Sequence, residues 1–199
     1  MEQLENYQKV KLTVNLFWAN VFGILIIIPI ALIFGLPYYL IWGSSLSKQS
    51  LKDIISNISP GHFGLALLIF FLTLIFGIIL HELIHGLTWA RFTSRGLKSM
   101  KFGVLWTMLT PYCHCKEPLR VRQYIIGAIT PAIVLGLIPA IISLIIGNLG
   151  LLVFGIFFTM AAGGDFLIIN LLRKEKMDNF VQDHPSEAGC FVFRKIEIE

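Results

Sequence analysis

Hydrophobic and polar positions alternate in long blocks along this chain rather than with the short periods of a soluble domain. A polar lead, residues 1–13, gives way to a run from Val14 to Trp42 without a single charge. That run exceeds the roughly 20 residues needed to cross a bilayer as a helix. Pro29 and Pro37 predict kinks in it, and Tyr38, Tyr39 and Trp42 predict an aromatic anchor at a membrane interface. Residues 43–62 turn polar and Ser-rich. Within them Leu51, Ile54, Ile55 and Ile58 fall on one helical face, predicting a short amphipathic helix on the membrane surface.

A second apolar run covers about 63–90 and is followed by a mixed, basic loop, 91–122. Phe102 to Leu109 reads as a strand broken by Thr110-Pro111, with Tyr112 to Lys116 as a returning strand. Two further apolar runs, 123–146 with Pro131 and Pro139 inside it and 149–172, are separated only by Gly147-Asn148. The tail, 173–199, is polar, and its end alternates in a strand-like way at Phe191, Phe193, Ile196 and Ile198. The expected fold class is therefore an all-α membrane protein. A four-transmembrane-helix bundle forms a single domain over 1–199, with a small cytoplasmic β element from the central loop and the C-terminal tail.

Composition agrees. Hydrophobic residues make up 56% of the 199 and charged ones 14%, against about 25% charged in ordinary soluble domains; the mean hydropathy is +0.77. The net charge of +4 does not point to nucleic acid, because the basic residues sit at the flanks of the apolar runs. Fourteen of the sixteen Lys and Arg fall in the lead, the central loop and the tail. The positive-inside rule then places both termini and that loop in the cytoplasm of a multi-pass cell-membrane protein, with the lipid bilayer as its first partner. No cleavable signal peptide is expected, since the first apolar run is too long for one. Cys113, Cys115 and Cys190 are an odd number on the reducing side, which predicts free thiols.

The candidate chemistry lies at the end of the second run, in His81-Glu82-Leu83-Ile84-His85-Gly86. On a helix, His81 and His85 project from one face, so both imidazoles can reach one Zn2+ ion, and Glu82 beside them can act as general base. Ionisable groups are costly within a span, roughly 2.5–3.5 kcal/mol each on insertion scales, so three together call for a compensating partner. A histidine ten residues after the first would complete a metzincin set, but position 91 is Arg91. Asp165, in Ala161-Ala162-Gly163-Gly164-Asp165, is the only charged residue from Gln123 to Leu172. His81 lies ten residues before Arg91 and Asp165 eight before Arg173, so both fall about 12–15 Å from the cytoplasmic flank. The small residues before Asp165 would let the second and fourth spans approach closely. The expected ligands are His81, His85 and Asp165, with the ion balancing two carboxylates.

Those residues carry a resemblance. The His81 motif ending one span, with a lone aspartate in a small-residue stretch of a later one, is distantly similar to site-2-protease intramembrane metalloproteases. More closely, the chain resembles a family of small bacterial multi-pass membrane proteins described as zincin peptidases. That resemblance runs over roughly residues 63–199 and includes Tyr112-Cys113-His114-Cys115-Lys116-Glu117-Pro118-Leu119 and Asp183-His184-Pro185. It implies zinc on His81, His85 and Asp165, Glu82 as base, and cleavage of a transmembrane or membrane-associated protein substrate. In site-2 proteases the aspartate commonly follows Asn-Pro, whereas here Gly163-Gly164 precedes it.

Two other readings compete with the peptidase: a zinc-stabilised membrane scaffold or regulatory protein without proteolytic activity, and a metal-ion carrier. The offset of the site toward the cytoplasm disfavours the carrier. Cys113-His114-Cys115 reads as a structural strand rather than a second metal site, because alternation puts the thiols on one face and His114 on the other. His62 and His184 read as interfacial or solvated. The strand from Phe102 could hold an unwound substrate segment by strand addition.

Overall fold

The computed structural model describes residues 6–46, 60–106, 110–184 and 187–196. The chain is mostly helical with small β elements. Three helical stretches, Phe17–Trp42, Gly61–Ala90 and Val121–Ile146, are long and apolar enough to cross a membrane; Leu149–Ala161 and Gly163–Leu172 make a fourth if that bent pair is one span. The expected amphipathic helix at Leu51–Ile58 lies outside the described residues.

The first apolar run forms two helices, α1 (Leu16–Leu25) and α2 (Ile27–Trp42), joined at Ile26. The break is where Pro29 requires it, since its ring has no N–H and crowds the carbonyl four residues back, that of Leu25. Pro37, by contrast, sits inside α2. Tyr38 is buried and donates from its hydroxyl to the Gly147 carbonyl at 2.7 Å, and the Trp42 indole donates to the Leu144 carbonyl at 2.9 Å. Of the three expected anchor residues, two therefore pack on a neighbouring helix turn, and Tyr39 alone is exposed.

The second run is one unbroken helix, α3 (Pro60–Ala90), three residues longer at its start than expected. Its first two turns and most of its length carry exposed Phe, Leu and Ile, and it packs on the rest of the fold chiefly through its last third. A 3-10 turn at Gly96–Ser99 leads to a hairpin, β2 (Met100–Leu105) and β3 (Thr110–Cys115). Strand β2 begins two residues before the expected Phe102, and residues 107–109 lie outside the described set.

Strand β4 (Leu119–Arg120) runs into α4 (Val121–Pro131). A π-helical stretch, Ala132–Leu137, then leads into α5 (Ile138–Ile146). The wider turns fall between Pro131 and Pro139, where a regular ladder would lose donors. Gly147, at φ 70°, takes the left-handed position that ends α5. The last run breaks at Ala162 into α6 (Leu149–Ala161) and α7 (Gly163–Leu172), bent by 41°. The glycine pair is the local cause. Gly163 lies closest to Phe22, Gly23 and Ile26. Gly163 thus faces α1 and the joint that follows it, while among the described residues nothing lies within 4 Å of a methyl placed on Gly164.

The two ends of the chain are more structured than expected. The polar lead contains β1 (Tyr7–Thr13), and the tail contains β5 (Phe180–Asp183) and β6 (Gly189–Lys195). With β4 they form a four-stranded sheet in the order β1-β6-β5-β4, separate from the hairpin. So the β element draws on the N-terminal segment as well as on the loop and tail. Its inner face (Val181, Cys190, Val192) shares one core with Trp89, Cys113, Cys115, Tyr124 and Leu172 from the helix ends and the hairpin. A second core around Phe34, Tyr38, Ala140 and Leu152 joins α2 to α5 and α6.

Candidate metal centre

His81 and His85 stand on adjacent turns near the end of α3 and are both buried. Asp165 comes from the other side of the fold. The break at Ala162 makes it the third residue of α7, in the first turn, where the unpaired amides of a helix start favour a carboxylate. His81 Nε2 lies 3.2 Å from Asp165 Oδ2, His85 Nε2 lies 3.3 Å from Asp165 Oδ1, and the two Nε2 atoms are 3.2 Å apart. One ligand atom from each residue falls within 4.8 Å of the others. The structure thus brings together the three residues read from the sequence.

Whether such a cluster fits a cation can be judged from its lone pairs. His85 Nδ1 is 2.9 Å from the Gly127 carbonyl, which can only accept, so Nδ1 carries the proton and Nε2 offers a lone pair. Asp165 offers two more acceptor oxygens. Acceptors therefore converge with few protons among them, a set that suits a cation. The spacing agrees: two nitrogens at 2.0–2.1 Å from a tetrahedral Zn2+ would be roughly 3.3 Å apart. His81 Nδ1 is buried and has no hydrogen-bond partner among the described residues. That costs about 1–3 kcal/mol and marks His81 as held for its other nitrogen. The residues fit zinc.

Glu82, next to His81, lines the same cavity, of about 260 Å3. The Cys113 backbone amide is turned toward its carboxylate, which places Glu82 beside β3. A second cavity, of about 470 Å3, shares Glu82, Pro111 and Tyr112 with the first and is walled by Ile79, Leu83, Phe102 and Val104. Glu82 sits where the two meet.

The other singled-out residues divide differently. Cys113 and Cys115 are buried in the core and His114 is only partly buried, as alternation on a strand predicts. The three thiols are free. Burial pushes the Cys113 thiol up, and the Cys115 and Cys190 thiols up to about 12, which makes them poor nucleophiles. Among the described residues no second metal cluster forms around them. His62 is exposed. His184 is buried rather than solvated; its Nδ1 accepts from the Glu187 amide at 2.9 Å and its ring packs on Phe191.

Four residues of the site carry no motif of their own. Trp89 stacks on His85, with ring centroids 5.0 Å apart and planes 15° from parallel, and Tyr124 stacks on Trp89 at 5.0 Å and 26°. The Trp89 indole donates to the Tyr124 carbonyl at 3.0 Å. Gly127 supplies the carbonyl that holds His85, and a methyl there would collide with the Trp89 indole. Asp183, on β5, lines the metal cavity. The signals available in sequence were slight: Trp89 continues the helix face of His81 and His85, and Asp183 belongs to the Asp183-His184-Pro185 segment.

A family model described as "Putative zincin peptidase" matches residues 74–180, just over half of the chain, and the matched range contains His81, Glu82, His85 and Asp165. No curated protein and no solved structure matches the chain.

Proposed function

Because the chain belongs to that family of zincin peptidases, we propose that it is a membrane-embedded zinc metallopeptidase. In this reading His81, His85 and Asp165 hold the metal, and Glu82 is the general base. The observation that carries it is the convergence of three ligand atoms within 4.8 Å on the turn that also presents Glu82. The membrane part rests on the three or four helical stretches long and apolar enough to span a bilayer and on the exposed apolar length of α3. The bias of Lys and Arg to the lead, central loop and tail supports cytoplasmic termini. The family match does not reach a site-2-protease subtype; that likeness rests on the aspartate contributed by a second apolar stretch.

Zinc bound between these residues would supply a Lewis acid that lowers the pKa of water and polarises a carbonyl. The chain's own residues do the rest. Gly127 fixes the His85 tautomer, so that Nε2 faces the site. Asp165 brings a negative charge that offsets the cation in an apolar setting. Glu82 takes a proton from the attacking water and delivers it to the leaving amine. The Cys113 amide keeps that carboxylate turned to the cavity.

The substrate class follows from the surroundings. A transmembrane segment must unwind locally, because helical peptide carbonyls are shielded by their own hydrogen bonds. Strand β2 borders the cavity that holds Glu82 and, among the described residues, pairs with β3 alone. An unwound segment lying in that cavity, against Phe102 and Val104, would reach Glu82.

The test uses full-length protein in liposomes with a membrane-protein fraction. New peptide N-termini are mapped by mass spectrometry for wild type and Glu82→Gln, with zinc measured in both. Cleavage by wild type that disappears in Glu82→Gln while zinc is retained is the expected result. A variant that keeps wild-type cleavage, or a wild type that yields none, would favour the zinc-stabilised scaffold.

A further inference from the structure

The half-buried Asp183 plays no part in the chemistry above, yet both of its carboxylate oxygens are engaged. Oδ1 accepts the Tyr124 hydroxyl at 2.5 Å and Oδ2 accepts the Cys115 amide at 2.8 Å. Burial pushes its carboxyl above the ordinary range, and the hydrogen bonds from Tyr124 and Cys115 act against that push. The two partners belong to different halves of the metal site.

The hairpin register explains the first partner. In an antiparallel pair, opposed residues alternate between those that exchange hydrogen bonds and those that do not. Val104 faces Pro111, which has no N–H, so this pair belongs to the second kind. By alternation, so do Phe102–Cys113 and Met100–Cys115. The amides of Cys113 and Cys115 then point away from β2, along the outer edge of β3. That is where they are found, Cys113 toward Glu82 and Cys115 on Asp183. Asp183 thus holds the Cys115 amide on the same strand edge whose Cys113 amide, two residues earlier, is turned toward Glu82. Holding Cys115 sets where the Cys113 amide can meet Glu82.

The second partner leads to the histidines. Tyr124 stacks on Trp89 and accepts its indole N–H at the main chain, and Trp89 stacks on His85. Gly127, less than one turn beyond Tyr124, receives His85 Nδ1. Fixing the Tyr124 hydroxyl fixes the face of α4 against which His85 is oriented.

We propose that Asp183 is a positioning residue of the metal centre, joining the Glu82 arm through Cys115 to the His85 arm through Tyr124. The four-stranded sheet is by this route part of the site rather than an appendage. The inference rests on the metal centre proposed above. Tyr124 and the Cys115 amide are both donors, so an ionised carboxylate satisfies both, whereas an asparagine offers one acceptor oxygen.

Cobalt(II) is the probe. Metal-free, full-length protein in detergent is titrated with it and followed by its visible absorption bands, for wild type, Asp183→Asn and Tyr124→Phe. Arg194→Gln, which breaks the pair with Glu175 on the same sheet, serves as a comparison. Asp183→Asn and Tyr124→Phe are expected to bind cobalt ~10-fold more weakly with altered bands. Amide-exchange protection over residues 112–116 should fall in Asp183→Asn, while Arg194→Gln keeps wild-type bands and affinity. Affinities within about two-fold of wild type and unchanged bands, even with a lowered thermal midpoint, would make Asp183 a structural staple and overturn the proposal. If Asp183→Asn does not fold, Tyr124→Phe decides by the same criteria. A wild type that binds no cobalt would overturn the metal centre itself.

Discussion

The Nδ1–H of His85 donates to the Gly127 carbonyl at 2.9 Å, and the same glycine lies so close to the Trp89 indole that no side chain fits between them. One residue of α4 thereby sets both the tautomer of a candidate ligand and the ring that stacks on it. His81 has no such support, for its Nδ1 is buried without a partner among the described residues. The two histidines of the motif are chemically unequal.

Gly127→Ala follows from that contact. The added methyl must displace Trp89 or move α4 away from α3, and overpacking of this kind costs about 1–3 kcal/mol. Metal affinity should fall with it, because the Gly127 carbonyl shifts from His85. Gly35→Ala is the comparison, since among the described residues nothing lies within 4 Å of a methyl there; it should leave both quantities near wild type. Thermal unfolding and a zinc titration of the two variants check this.

Asp165→Ala removes the one candidate ligand that does not come from α3. Elemental analysis should give about one zinc per wild-type chain and sharply less in the variant. Zinc should also raise the thermal midpoint of wild type, since a ligand at 100 times its dissociation constant adds about 2.7 kcal/mol. Chelation should reverse the gain, and Asp165→Ala should show little of it. Zinc retained in the variant would keep the histidines and remove Asp165.

The helices were legible because each is a long apolar block, and block boundaries survive ignorance of tertiary contacts. The candidate site was legible for a related reason: His81, Glu82, His85 and Asp165 are polar exceptions in apolar runs. What escaped was whatever depends on pairing across the chain. Tyr7–Thr13 reads as a polar lead until Gly189–Lys195 lies beside it, residue for residue from Tyr7 on Lys195 to Thr13 on Gly189. Likewise nothing local marks Gly127 or Tyr124; their roles exist only once α3 packs on α4. His184 looked solvated because the sheet that buries it was not foreseen.

The thiols give a prediction independent of metal. Cys113, Cys115 and Cys190 are buried, and burial holds all three protonated through neutral pH. At pH 8 a thiol reagent should label none of them at an appreciable rate in the folded protein and all three after denaturation. Rapid labelling of the native chain at any one would contradict the shared core of hairpin, sheet and helix ends.

Glu117 gives the pH dependence a definite sign. Its carboxylate gathers the Ser99 hydroxyl, the Ser94 amide and hydroxyl at 2.9 Å each, and Arg95 at 3.6 Å, binding the turn after α3 to the end of the hairpin. These donors, led by Ser99, lower its pKa from 4.5 to about 2. The folded form therefore holds its proton less tightly than the unfolded one. The stabilisation is present above about 4.5 and is lost as pH falls from there through about 2. Glu175 and Glu187 are also lowered, by Arg194 and Lys11, while Asp183 is raised and acts in the opposite sense. The difference between wild type and Glu117→Gln isolates the one group. Thermal midpoints of metal-free protein between pH 2 and 6 should fall more steeply toward acid in wild type than in the variant. The two curves should converge near pH 2 if Glu117 holds the turn as an ion.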